Sequence, residues 1–250
     1  MIELPITSMD FHIILGTISG FIFITVGLLN LVRHRRNRID QIFFGFFAFI
    51  ALSQIFDALL VWFSTSSVDE ALLNLLRDIS LVSLLLGLGC AAFTGTILHF
   101  GEERVFSRKY LMFEGVLTGL ILFLGIFGDY MTSEEQSGTG GLHFAIERDI
   151  LGWTGISGAF LIFSLIFLIS LISLIPSAER DLKISLLKLI TGFVLSVPVL
   201  FLFDISFAVP FVRQRLVEDY LINFVMRFAI VLGALSVFWA FAKRLESESS

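Results

Sequence analysis

Cysteine is all but missing from this sequence. Cys90 stands alone, inside an apolar run, so the chain offers no intramolecular disulfide and no Cys/His spacing that would hold a metal; Cys90 reads as a small packing residue. Charge is scarce as well, at 16% of 250 residues, where a soluble domain carries about 25%. Only four prolines and three tyrosines are present. His12, His99 and His143 are too scattered to form a transmembrane haem pair. The last apolar stretch has no lysine at mid-depth, and Lys243 falls at its boundary, which excludes a retinal Schiff base. No phosphate-binding loop or nucleophile elbow occurs. The expectation is a protein that is not an enzyme, has no cofactor and no metal, and takes no nucleic acid as a partner.

What the sequence does contain is apolar length. It is 56% hydrophobic with 29 phenylalanines, and its mean hydropathy is +0.93. Crossing the hydrocarbon core takes about 20 mostly apolar residues. Seven stretches qualify: 11–32, 41–63, 79–100, 110–128, 150–175, 186–211 and 220–242. The first follows Glu3 and Asp10 rather than a basic segment, so it reads as an anchor and not as a cleaved signal. The expected fold class is all-α: a polytopic bundle of seven transmembrane helices in one membrane domain, 1–250, in the cell membrane. Arg33, Arg35, Arg36, Arg38, Arg104, Arg108, Lys109, Arg180, Lys183, Lys243 and Arg244 all fall on one side of such a bundle. The other side holds Arg77, Arg148, Arg213 and Arg215. Because cytoplasmic loops collect Lys and Arg, the N-terminus is expected outside and the C-terminus in the cytoplasm.

Two carboxylates lie within the apolar stretches, at matching places. Asp57 and Asp204 each follow a Phe and each stand twelve residues after a Gly-Phe pair, Gly45-Phe46 and Gly192-Phe193. The offset is 147 residues (204 minus 57). Ile18-Ser19-Gly20 is echoed by Ile156-Ser157-Gly158, and Asn74 with Arg77 by Asn223 with Arg227, after one inserted residue. The pattern predicts a 3+1+3 internal repeat: 11–100 as repeat 1 (helices 1–3), 110–128 as linker helix 4, and 150–242 as repeat 2 (helices 5–7). Three helices reverse the chain and a fourth restores its direction, so the copies are parallel, related by an axis along the membrane normal.

Charge inside a membrane is rare and expensive, and by default marks a site or a strut. Asp57 lies about 9 Å below the outer end of helix 2 at 1.5 Å per residue, with Asp204 and Arg227 at similar depths. Adjacent helices suggest the pairs Asp57 with Arg77 and Asp204 with Arg227. These four are the candidates for ligand binding or for intramembrane charge pairs, facing an outer polar pocket; two struts fixing neighbouring helices are the plainer reading. A second candidate cluster, His99, Glu114 and Lys188, lies near the cytoplasmic ends, with His99 and Glu114 able to meet across the 3–4 connection and Glu114 suited to carrying a proton. Pro198 is a candidate hinge six residues before Asp204. Residues 67–70 read as a capping box opening helix 3. The basic run Arg33–Arg38 sets topology and suits anionic lipid headgroups. The longest loop, 129–149, contains the flexible stretch Ser137-Gly138-Thr139-Gly140-Gly141.

The parallel 3+1+3 layout with an outer N-terminus resembles the SWEET and PQ-loop sugar and amino-acid transporters, although their Pro-Gln signature is missing and Pro198 and Pro210 are the only prolines inside an expected helix. The basic patch Arg33–Arg38, the turn His99-Phe100-Gly101-Glu102 and the Gly192 to Pro198 spacing are similar to the seven-helix sensing region of bacterial and archaeal histidine kinases. That resemblance covers nearly the whole chain but lacks the kinase, and it implies a sensor acting through a cytoplasmic or membrane signalling partner. The leading expectation is therefore a receptor-like sensor with an outward-facing polar pocket. A small-solute or proton-coupled transporter is the alternative, and a structural subunit of a membrane complex is third. Besides the bilayer, a second copy of the chain is a candidate partner.

Overall fold

The computed structural model describes residues 8–33, 38–64, 69–133, 144–209 and 220–247. Seven helices of 20 residues or more account for most of them: α1 (Ser8–Arg33), α2 (Arg38–Ser64), α3 (Glu70–Phe100), α5 (Arg108–Phe127), α6 (Ile150–Leu174), α7 (Arg180–Ala208) and α8 (Tyr220–Ser247). A single turn, α4 (Glu102–Val105), bridges α3 and α5. Each of the seven long helices overlaps one of the seven apolar stretches, with α3 starting nine residues and α7 six residues earlier than expected. Runs of Leu, Ile, Phe and Ala in hydrocarbon have nowhere to send their backbone polar groups except along their own helix. Five helices, α2, α3, α5, α6 and α7, are long and apolar enough to cross a membrane; α1 and α8 carry the shorter apolar segments Ile13–Leu29 and Phe224–Val237. The chain is a multi-pass, predominantly helical membrane protein.

Polar residues punctuate the helices. Asp69 caps α3 by accepting from Ala71 N at 3.1 Å. Asp149 caps α6 by accepting from Leu151 N at 2.8 Å and Gly152 N at 2.9 Å. A carboxylate here satisfies free N–H groups and faces the positive end of the helix dipole. The expected capping box at 67–70 thus gives way to Asp69 as the cap of α3; Ser67 lies outside the described residues. At the other end, Gly101 adopts φ +86°, which an L side chain rarely tolerates, and ends α3 with its N–H on Ile97 O at 2.9 Å.

One element departs from the expectation of a loop. The flanks of the segment after α5 form an antiparallel hairpin, β1 (Asp129–Ser133) with β2 (Phe144–Arg148), in the register Asp129 opposite Arg148 through Ser133 opposite Phe144. The reading of 129–149 as a loop is corrected at both ends, because each strand satisfies its backbone on the other. Ser137–Gly141 lies outside the described residues.

Packing follows a simple order. α2 lies against α1 and α3, and α7 against α8; α3 also packs on α6, and α1 on α8. The core joins Phe43, Phe46 and Phe47 of α2, Leu85 and Leu88 of α3, Phe163 and Phe167 of α6, and Phe193 of α7. Close crossings rely on glycine. A Cβ on Gly192 would sit 2.6 Å from the Gly233 carbonyl, so α7 and α8 approach backbone to backbone. α5 is peripheral, leaning on α6 and exposing Met112, Phe113, Val116, Phe123 and Phe127.

A candidate functional site of crossed ion pairs

The four charges singled out from the sequence all lie near the hairpin end of the bundle, and all are buried. Arg227 is 1% exposed, Arg77 3%, Asp204 5% and Asp57 9%. Arg227 Nη2 donates to Asp57 Oδ2 at 3.0 Å, and Arg77 Nη2 donates to Asp204 Oδ1 at 2.6 Å. Each aspartate is thus served from the other half of the chain: α2 by α8, and α7 by α3. The expectation of Asp57 with Arg77 and Asp204 with Arg227 took neighbours along the chain as partners. The packing of α1 on α8 and of α3 on α6 brings helices of opposite halves together and allows the bonds to cross.

Each pair is supported by further polar atoms. Gln54, one turn before Asp57, accepts from Arg227 Nη1 at 2.9 Å. Ser19 shares its hydroxyl between Gly16 O at 2.8 Å and Gln54 Oε1 at 3.3 Å. Gly16 lies beside the guanidinium: a Cβ there would be in ordinary contact with Arg227 Nη1 at 3.7 Å. On the other side Arg148, the last residue of β2, places Nη1 2.8 Å from Asp204 Oδ2. Its side chain is fully covered and its guanidinium lies over the Trp153 ring at 4.8 Å. Asp204 is therefore gripped by two guanidiniums, one on each oxygen. Next to this layer, Ser80 Oγ donates to Ser53 O at 3.1 Å and ties α3 to α2.

Reasoning from the sequence missed Gln54 and Arg148. Gln54 was legible as a polar residue three before Asp57, on the same helical face. Arg148 looked like one more loop charge, and nothing in its immediate neighbours marks the 56-residue reach to Asp204.

The inner cluster does not assemble. His99 Nδ1 meets Ser173 Oγ on α6 at 3.0 Å and its ring stands edge-on to Phe100. Glu114 lies beside Tyr110 on its own helix, and the Lys188 carbonyl accepts from Ser236 at 2.9 Å. No hydrogen bond or ion pair joins His99 to Glu114 among the described residues. One turn of helix separates Tyr110 from Glu114, which puts the two on one face of α5. Of the basic run, Arg38 pairs with Glu102 at 3.6 Å and lies over Phe106; residues 34–37 are outside the described residues. Pro198 sits inside α7, which is helical on both sides of it.

No group of three or more His, Cys, Asp or Glu among the described residues is placed to hold a metal. Comparison with protein-family models, with curated proteins and with solved structures returns no match. The chemistry of the site is what these residues can do. Two buried carboxylates and three guanidiniums form hydrogen-bonded pairs in a low-dielectric setting, where the loss of one member strands its partner at a cost of about 3–5 kcal/mol.

Proposed function

We propose that this chain is a receptor-like membrane sensor of seven spans. Its two three-helix halves run parallel, with α1–α3 equivalent to α6–α8 and α5 as the linker, and the N-terminus faces outside. The observation that carries the reading is the bridge from Arg148 to Asp204 to Arg77. It wires an element outside the spans, the hairpin, directly into a buried charge pair between helices of different halves. A ligand that displaces the hairpin withdraws one guanidinium from Asp204. The remaining pair then readjusts, and α3 and α7 shift against each other down to their cytoplasmic ends, where a partner would read the change. Crossed pairing supports the repeat, since an exchange of partners between halves is what a two-fold relation produces: helix 2 to helix 7, and helix 6 to helix 3.

The same exchange favours a second reading. Ion pairs joining two parallel halves at one membrane face also suit the closed outer gate of a small-solute transporter. Purified chain in liposomes separates the two. A sensor gives no uptake of radiolabelled sugars or amino acids, while Arg148→Ala alters the reactivity of a cysteine placed at Ser173 near the inner ends. Saturable uptake would replace the sensor with the transporter, and an inner end indifferent to Arg148 would leave the sensor without a mechanism.

A further inference from the structure

Glycine shows which helices press most closely together. A Cβ on Gly20 of α1 would lie 2.9 Å from Ile55 Cγ1, and one on Gly27 would lie 2.8 Å from Phe47 Cβ, both on α2. One on Gly87 of α3 would lie 2.9 Å from Ile50 Cδ1 of α2. Further along α3, a Cβ on Gly95 would lie 3.2 Å from Phe167 Cα of α6, and one on Gly155 of α6 would lie 2.7 Å from Gly125 N of α5. The helices α1, α2, α3, α6 and α5 thus follow one another in a single closely packed body. α7 and α8 form a second unit, joined where Gly192 meets Gly233.

The seam between α6 and α7 is of another kind. Their backbones approach little, although the two helices are consecutive in the chain. Among the described residues no glycine of either faces the other. Rings fill the space instead: Phe160 meets Phe201, and Phe167 meets Phe193, with centroids 4.6 Å apart in both pairs. Between Phe160 and Phe167, on the same face of α6, Ser164 Oγ is covered and has no hydrogen-bond partner. Ring pairs accept a range of angles, whereas backbone crossings do not. At the hairpin end, Asp204 adds its bonds to Arg77 and Arg148. At the opposite end α6 passes into α7 through the short turn Ile175–Ser177, which holds the two helices together there. On its other side α7 is backed by α8, and α8 lies on α1.

We infer that α7 and α8 swing as one unit, pivoting on the α6–α7 turn and on the α1–α8 contact, so that the α6–α7 seam opens sideways at the hairpin end with the two bonds of Asp204 as its latch. Asp204 stands 24 residues beyond Arg180 (204 minus 180), about 36 Å from the turn at 1.5 Å per residue. A tilt of about 5° over that length carries it roughly 3 Å, beyond hydrogen-bond reach of both guanidiniums. Arg227 lies on α8, nearer the α1 pivot, so its bond to Asp57 outlasts those of Asp204. Rigid units turning about a few end-of-helix residues are a common form of switching. The inference goes beyond the sensor reading: it names the part that moves, needs no parallel halves, and holds equally for a transporter.

The test uses the full chain in nanodiscs with Cys90→Ser and spin labels on pairs of introduced cysteines. Leu161→Cys with Leu202→Cys reports the seam near the hairpin, and Ile172→Cys with Leu182→Cys reports it near the turn. Leu202→Cys with Val225→Cys reports α7 against α8, and Ile14→Cys with Val225→Cys reports α8 against α1. With no latch residue changed, the hairpin-end seam is expected to give a broader distance distribution than the α7–α8 pair. Asp204→Asn is expected to lengthen the hairpin-end seam by several ångströms, leave the turn end and the α7–α8 distance unchanged, and move α8 against α1 by less than the seam opens. Asp204→Asn with Arg77→Gln and Arg148→Gln leaves no stranded charge at the latch and serves if the single variant does not fold; the same results are expected of it. A seam distribution no broader than that of α7–α8, an unaltered seam in the folded triple variant, or lengthening of any other pair by as much as the seam would each overturn the assignment. Saturable uptake in liposomes would replace the sensor and leave every one of these expectations standing.

Discussion

Arg227 reaches Asp57 across 170 positions of the chain and donates to it at 3.0 Å. The bond joins α8 to α2. With its counterpart from Arg77 to Asp204, it makes the hairpin end of this bundle a place where each half holds the other.

Removing one carboxylate should hurt more than removing the pair. Asp57→Asn leaves the buried Arg227 beside the neutral Gln54 in place of a carboxylate, and a loss of about 3–5 kcal/mol is expected. Asp57→Asn together with Arg227→Gln should recover more than half of it. Reversible unfolding in mixed micelles reads both numbers; a double variant as unstable as the single one contradicts the expectation.

The α7–α8 crossing should be intolerant of a methyl group while α5 is indifferent. Gly192→Ala drives a Cβ against the Gly233 carbonyl, and overpacking of that kind costs about 1–3 kcal/mol. Nothing lies within 4 Å of a Cβ on Gly115, so Gly115→Ala should leave the melting temperature unchanged or slightly raised, since alanine is the better helix former. Equal effects at the two positions would mean that the crossing is looser than described.

Hydrogen exchange should expose the role of Arg148. In Arg148→Ala, Asp204 keeps Arg77, so global stability falls by only about 1–3 kcal/mol. The amides of β1 and β2, however, should exchange markedly faster, because the strand loses its tie to α7 and its stacking on Trp153. Arg148→Lys keeps the charge but not the planar stack or the fork of donors, and should fall between the two. Unchanged protection of the hairpin in Arg148→Ala would remove that residue from the mechanism.

Orientation has its own check. With Cys90→Ser as background, Glu147→Cys should react with a membrane-impermeant maleimide applied to intact cells, and Ser177→Cys should react only after the cells are opened. The reverse result would invert the bundle and turn the hairpin towards the cytoplasm.

Much of the fold was legible in the sequence, because hydrocarbon leaves a long apolar run one backbone solution. Each of the seven stretches therefore overlaps one long helix. The candidate site was legible as a set of residues and illegible as a set of bonds. Asp57, Arg77, Asp204 and Arg227 stand out because charge in an apolar run is conspicuous whatever it touches. Their partners depend on which helices lie side by side. That is fixed by packing such as the glycine crossing of α7 on α8, which apolar runs do not spell out. The hairpin escaped notice for a related reason: five residues, Phe144 to Arg148, are a short signal beside a glycine-rich stretch. Arg148 acquires its meaning only when β2 carries it over Trp153 to Asp204.

The crossed pairing itself is the central claim, and double-mutant cycles over the four charges test it most directly. Neutral substitutions at Asp57, Arg77, Asp204 and Arg227 give four acid–arginine cycles from unfolding free energies in one micelle system. Coupling of about 1–3 kcal/mol is expected for Asp57 with Arg227 and for Asp204 with Arg77, and it should exceed the coupling of Asp57 with Arg77 and of Asp204 with Arg227. Strong coupling within each half and weak coupling between the halves would contradict the account.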